Sequence, residues 1–295
     1  MRTQIIPDTN YSEMMQNVIL PYVEHMRQGT EKYFERVPEQ KIRYERFHTD
    51  QLDENGRSKG EVVLFHGYTE GITKFYECIY YFLKEGYDVS MMEHRGHGRS
   101  YKMIKDRFKV LLPSEDDIRK PLYLYGHSMG GGLGARFIEE WPDLFDRSIL
   151  TSPMLELNGG NTPKWLTALI ARIVSAIGKG EDLIPGAVPF DPENKEGDFD
   201  NSCATSRERY AWYQKYQLDH PDYQTSATTW ITALTFYKIT KDAVAVAKCA
   251  GVKHPVLVFQ ADDDSMVNDG GQSRFVSQIP AGLGRLKRIP GSRHE

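Results

Sequence analysis

The sequence predicts an α/β fold: a mostly parallel sheet flanked by helices, interrupted late in the chain by a helical insertion. Three observations carry the prediction. Short β-branched or aromatic runs alternate with longer stretches of helical periodicity, the pattern of strands joined by crossover helices. Most of those runs are apolar at nearly every position, as strands covered on both faces are. Between Pro153 and about Ala250 the regular spacing of runs stops, and a long stretch rich in Trp and Tyr takes its place.

Taken in order, Ile42 to Phe47 alternates and reads as an early edge strand. Val62-Val63-Leu64-Phe65 is the first continuous run, followed by a helix from about Ile72 to Lys84, and Asp88 to Met92 is the next strand. Only 21 residues separate Ser100 from Leu122. A crossover needs about a dozen residues at least, so a stunted helix before Pro121 is expected, unless a loop is missing from the chain. Leu122 to Tyr125 is a strand that opens a helix from Gly131 to Trp141, and Ser148 to Leu150 and Val256 to Phe259 complete the set. Gly178 to Gly197 is a connector rich in Gly, Pro and charge inside the insertion. The expected organisation is a core over 1–157 and 230–295, split by a helical insertion over 158–229.

Composition narrows the function. With 40% hydrophobic and 26% charged positions in 295 residues, the chain is globular rather than disordered. Thirty-seven basic against 41 acidic residues give a net charge of −4, so no positive field draws nucleic acid and none is expected as a partner. Cys78, Cys203 and Cys249 lie far apart without C-x-x-C spacing, which supports neither a disulfide framework nor structural zinc. No pattern calls for a metal or a cofactor. The first residues hold no apolar core of a secretory signal. The longest apolar stretch, Trp165 to Ile177, is too short to span a membrane and contains Arg172. A soluble cytoplasmic protein is the expectation.

Gly126-His127-Ser128-Met129-Gly130 matches G-x-S-x-G, directly after a predicted strand and at the start of a helix rich in small residues. A nucleophilic serine on a tight strand-to-helix turn needs flanking glycines because the turn leaves no room for Cβ atoms. The turn lifts Oγ above the sheet, with the helix N-terminus facing developing negative charge. The strand before it and the helix after it make chance a poor explanation, and the bland reading is a glycine-rich turn that only packs helix on strand.

Serine at neutral pH needs a general base held by a third group, and with this elbow the chain order is Ser, acid, His. Of nine histidines, only His220, His254 and His294 follow Ser128, and only His294 also follows the acidic cluster after Val256 to Phe259. His254 abuts Pro255 at the start of that strand, the end remote from a site at strand C-termini. His220 precedes Pro221 inside the insertion. Both read as structural, as do His127 in the elbow and His66 in a turn. The acid is Asp262, Asp263 or Asp264, among which spacing does not choose.

These residues resemble the serine hydrolases of the bacterial lysophospholipase and monoacylglycerol lipase type, within the α/β-hydrolase superfamily. The similarity runs from about Gly60 to the last residue and is weakest in the insertion. It rests on His66-Gly67-Tyr68-Thr69-Glu70, Glu93-His94-Arg95-Gly96-His97-Gly98-Arg99-Ser100, the Ser128 elbow, Ser152-Pro153-Met154, Ala261-Asp262-Asp263-Asp264-Ser265-Met266-Val267 and Pro290-Gly291-Ser292-Arg293-His294-Glu295. The resemblance implies that Asp264 is the acid and His294 the base. It further implies an oxyanion hole made by the backbone N–H groups of Tyr68 and Met129, two fixed donors worth about 3 kcal/mol each. Glu93 stands where relatives commonly have Asp, and Arg95 takes an anchoring role. The fold normally adds a helix behind the histidine loop, whereas only Glu295 follows His294. The ring is therefore expected to fray, and a chain extended by such a helix to be more active.

The same resemblance makes 158–229 a cap. Within it Trp165, Leu166, Leu169, Ile170, Ile173, Val174 and Ile177 recur at three- and four-residue spacing and form one apolar helix face. The economical reading packs this face on the core. The alternative makes it an acyl-chain groove or a lid touching a membrane, with Trp165, Leu169, Ile173 and Trp212 as candidate substrate-binding residues. Tyr210, Trp212, Tyr213 and Tyr216 line a tunnel on one reading and pack the cap on the other. The expected function is hydrolysis of carboxylic esters of lysophospholipids or monoacylglycerols, with peripheral contact to the inner membrane. The competing readings are a small-ester, thioester or N-terminal peptide hydrolase on the same triad, and a binding protein without turnover.

Overall fold

A computed structural model describes residues 3–29, 32–35, 41–100, 120–159, 162–225 and 227–295. The stunted helix expected before Pro121 lies outside them. Eight strands, β1 (Lys32–Glu35), β2 (Lys41–Phe47), β3 (Glu61–Phe65), β4 (Asp88–Met92), β5 (Leu122–His127), β6 (Arg147–Thr151), β7 (Val256–Ala261) and β8 (Gly284–Ile289), form one sheet. Their order is β1-β2-β4-β3-β5-β6-β7-β8. The pairs β1 with β2 and β2 with β4 are antiparallel, and the rest are parallel. All five continuous runs are strands. Ile42 to Phe47 lies in a strand but not at the edge, because β1 pairs along its outer side. Only four residues long, β1 has too little pattern to be read from sequence. β8 was also illegible: it is the opposite edge, and its Arg285, Lys287 and Arg288 replace the apolar signature with the charges of an edge strand.

The helices are α1 (Tyr11–Met14), which passes through a π turn (Met15–Ile19) into α2 (Leu20–Met26); α3 (Tyr76–Lys84); and α4 (Met129–Glu140). Then follow α5 (Lys164–Ala176), α6 (Arg207–Asp219), α7 (Trp230–Ala243) and α8 (Val246–Cys249), all between β6 and β7, and finally α9 (Asp269–Gln278). Val62 and Leu64 face the layer of Tyr11, Met15, Ile19, Val23, Ile79 and Leu83. Val63 and Phe65 face Ala135, Ile138, Cys249, Phe275 and Ile279. Adjacent strand residues thus enter opposite cores, which is why the runs are apolar throughout. Loops at the C-terminal ends of the parallel strands are left free to carry a site. Cys78, Cys203 and Cys249 are free thiols.

Between β6 and β7 the packing differs. α5 meets α7 through the small Ala168 and Ala171 against Leu234. Close approach on that side turns the bulky side outward, so the expected packing of the large face on the core does not occur. Trp165 is 63% exposed, Leu169 44%, Ile173 55% and Ile177 66%. α6 packs Trp212 on the layer of Tyr11, and it and the turn after it are also tied to the core by polar groups. Arg209 pairs with Asp8 and, at 2.7 Å, with Glu77. The Tyr223 hydroxyl donates to Glu93 Oε1 at 3.0 Å and accepts from Arg43 Nη1 at 2.6 Å. Arg43 itself pairs with Glu45 and, at 2.8 Å, with Glu93, all three buried.

Candidate active site

β5 ends at His127 and α4 begins at Met129, so Ser128 alone makes the turn, with φ 51° and ψ −118°. A backbone of this kind costs about 1–3 kcal/mol and persists only where its surroundings over-determine it. Here they do. A Cβ on Gly126 would lie 2.7 Å from the Gly130 carbonyl oxygen, and one on Gly130 would overlap the Phe65 carbonyl. The Ser128 amide donates to Thr151 O at 3.0 Å, and its carbonyl accepts from Gly132 N at 3.0 Å and Met154 N at 2.8 Å.

Above this turn stands His294, 5% exposed. Its Nε2 is 2.8 Å from Ser128 Oγ, and its Nδ1 is 2.9 and 2.8 Å from the two Asp264 oxygens. A carboxylate only accepts, so Nδ1 carries the proton and Nε2 is left to accept from the serine hydroxyl. Asp264 Oδ1 also accepts from the Met266 and Val267 amides, each at 2.9 Å. Desolvation would raise this carboxyl, but the His294 contact and those amides hold it below the usual carboxylate range. The three adjacent acids are thereby distinguished. Asp262 points to the surface and binds Arg288 at 2.6 Å, and Asp263 joins the two loops through its amide, which donates to Ser292 O at 2.9 Å.

Met129 opens α4, so its N–H is among those with no acceptor inside the helix. Tyr68, in the loop after β3, packs in the same apolar cluster as Met129. That loop is shaped by Thr69 at φ 62° and by Glu70, whose carboxylate accepts from the Gly67 amide. His66 does more than fill a turn: its Nδ1 lies 2.7 Å from Gly67 O and its Nε2 accepts from the His94 amide at 2.7 Å, fastening the loop after β4. Burial pushes His94 down to about 3 and His97 to about 4, so both are neutral. Glu93, at its longer reach, accepts from the Arg99 amide at 2.7 Å as well as from Arg43 and Tyr223. His254 and His220 are structural, on Ser148 Oγ at 2.7 Å and Tyr216 O at 2.8 Å.

Behind His294, Glu70, His127 and Glu295 bring ligand atoms within 4.8 Å of one another. The positive charge there is supplied by the chain, since Lys74 Nζ lies 2.7 Å from Glu70 and 2.6 Å from Glu295. Desolvation acts to raise the Glu295 carboxyl, but Lys74 and then His127 hold it down at about 2. Glu70 and Lys74 sit at i and i+4, a spacing legible in the sequence; Arg43, Tyr223 and Thr205 gave no such signal. Of the proposed substrate contacts, Trp212 lines a cavity of about 610 Å³ with Tyr213, Arg209, Lys74, Cys203 and Glu295. Trp165, Leu169 and Ile173 are not brought to that wall.

A family model described as serine aminopeptidase, S33, matches residues 56–295. Among curated proteins, the monoacylglycerol lipase of Mycolicibacterium smegmatis is 26% identical over 248 residues, covering 80% of this chain and 81% of that one. Lysophospholipase L2 of Escherichia coli is 24% identical over 308 residues, covering 93% and 84%. Among solved structures, a soluble variant of monoglyceride lipase from Saccharomyces cerevisiae, in complex with a substrate analog, superposes with a TM-score of 0.63 at 17% identity, over 90% of this chain and 89% of that one. A thermostable carboxyl esterase from Bacillus coagulans gives 0.66 at 16% identity, over 90% and 91%.

Proposed function

The chain belongs to the serine aminopeptidase S33 family and has the α/β-hydrolase fold, and from this premise we propose that it hydrolyses carboxylic esters of single-chain lipids, lysophospholipids or monoacylglycerols, through an acyl-enzyme on Ser128. The observation that carries the reading is the unbroken line from Asp264 through His294 to Ser128 Oγ, every step at 2.8–2.9 Å. Ser128 Oγ attacks the ester carbonyl while its proton passes to His294 Nε2. Asp264 keeps the proton on Nδ1 and stabilises the imidazolium. The Met129 and Tyr68 amides receive the oxyanion. Collapse expels the alcohol, which takes the proton from Nε2, and water repeats the sequence on the acyl-enzyme.

Relatives named for monoacylglycerol and lysophospholipid hydrolysis support the substrate class. So does the exposed apolar face of α5, which we assign to contact with a lipid surface, with 158–229 acting as the cap. No helix among the described residues is long and apolar enough to cross a membrane. The family description favours a second reading, peptide-bond hydrolysis at a free N-terminus. One experiment separates them: turnover of monoacyl esters of increasing chain length beside aminoacyl amides, with wild type and Ser128→Ala. The expected result is rising kcat/KM toward long acyl chains and a loss on the order of 10⁶ in kcat for the variant. Faster amide cleavage, or more than a tenth of wild-type turnover in the variant, overturns the proposal.

A further inference from the structure

His294 is held from the insertion. The residues on either side of it, Arg293 and Glu295, are bound by the segment 199–205, which lies between α5 and α6 in the chain. Thr205 brackets the histidine: its Oγ1 accepts from the Arg293 amide at 2.9 Å and donates to Glu295 O at 2.5 Å, and its own amide donates to the same carbonyl at 2.7 Å. Glu295 N donates to Cys203 O at 3.0 Å. The Arg293 guanidinium donates to the carbonyls of Phe199, Ser202 and Ala204 at 3.2, 3.3 and 3.4 Å. The opposite side is closed by Lys74 on the Glu295 carboxylate. Both neighbours of His294 are thus clamped by a segment of the insertion.

We propose that Thr205 and Arg293 are positioning residues, through which the insertion sets the His294 ring within reach of Ser128 and makes docking of 199–205 a condition of turnover. The inference rests on the assignment of Ser128 and His294 as nucleophile and base. Its chemistry is geometric. Neither residue touches the reacting atoms, yet a base displaced by about 1 Å loses on the order of a hundredfold in rate. Thr205 and Cys203 also line the cavity that Trp212 lines, so the effect on the base is read through kcat and through the reactivity of the serine itself rather than through KM. In the same way, any opening of the cap that leaves the enzyme competent must spare this segment.

The test uses the full chain with Thr205→Val, Arg293→Met and the double variant, beside Thr205→Ser and Ser128→Ala. Steady-state turnover of a monoacyl ester, thermal unfolding and the rate of fluorophosphonate labelling are measured for each; labelling reads activation of the serine without an ester substrate. Expected are a fall in kcat of about fivefold to tenfold for each single variant and more than thirtyfold for the double. Labelling slows in parallel, and Thr205→Ser recovers to within twofold of wild type. A double variant that keeps more than half of wild-type kcat overturns the inference, and so does one that unfolds earlier with kcat intact. Slowed turnover with unchanged labelling also overturns it, because the clamp would then govern access rather than the base. Labelling that persists in Ser128→Ala instead overturns the assignment on which the inference rests.

Discussion

Around Ser128 the chain is held by backbone hydrogen bonds and by glycines with no room for a Cβ, whereas α6 and the segments on either side of it are held to the same core by Trp212 and a few charged and hydroxyl side chains. The first arrangement fixes atoms without spending side chains on it, and it leaves no tolerance at Gly126 or Gly130. The second concentrates attachment in single residues such as Arg43, Arg209 and Thr205, and it leaves one helix, α5, with its largest apolar side chains facing out. The contrast teaches where each kind of damage is to be sought: in the elbow, any added volume; in the insertion, the loss of one polar group.

The comparison is sharpened most by Asp264, which serves the elbow side through one hydrogen-bonded contact. Asp264→Asn is expected to lower kcat by about 10⁴, the scale of a histidine held in the wrong tautomer, while Asp262→Asn stays within threefold. Steady-state kinetics decides, and equal sensitivity of the two would remove the special standing of Asp264. Next comes Arg43. Arg43→Met removes the cation that the buried Glu45 and Glu93 share, leaving Glu45 with Arg27, a loss of about 3–5 kcal/mol. Thermal unfolding should begin about 10 °C earlier; an unchanged midpoint would break the claim that polar groups carry this attachment.

Glu139 tests the opposite side of the contrast, a charge inside the α4 packing. Burial pushes its carboxyl up to about 7, with Arg136 acting the other way. A folded-state value raised above the ordinary 4.5 favours the neutral form, so its contribution is fully present below that value and lost as pH rises through about 7. Glu139→Gln should therefore stabilise by about 1–3 kcal/mol at pH 8.5 and much less at pH 5. Unfolding midpoints at the two pH values test it, and an equal effect at both would discard the burial argument. The smallest change is expected at α5. Ile173→Ser should alter stability by no more than about 0.5 kcal/mol while weakening co-sedimentation with phospholipid vesicles. A midpoint lowered by several degrees would show that the face is packed after all.

The covered strands, the elbow and the order Ser, acid, His were legible in the amino-acid sequence because each is a local pattern: a continuous apolar run, a five-residue turn with steric demands, a single histidine late in the chain. Tyr11, Met15, Ile19 and Val23, spaced by four, also carry a readable helix face. Asp264 is singled out in the sequence by resemblance alone, since three adjacent acids have the same local chemistry. Only the tertiary structure separates them, by sending one to the buried imidazole and another to Arg288. It also decided which way α5 faces, because a periodicity describes a stripe and not its partner. The clamp on His294 and the Arg43 to Tyr223 tie join residues 88 and 180 positions apart. Contacts of that range leave no mark on local sequence, since their geometry exists only once the sheet has brought the loops together.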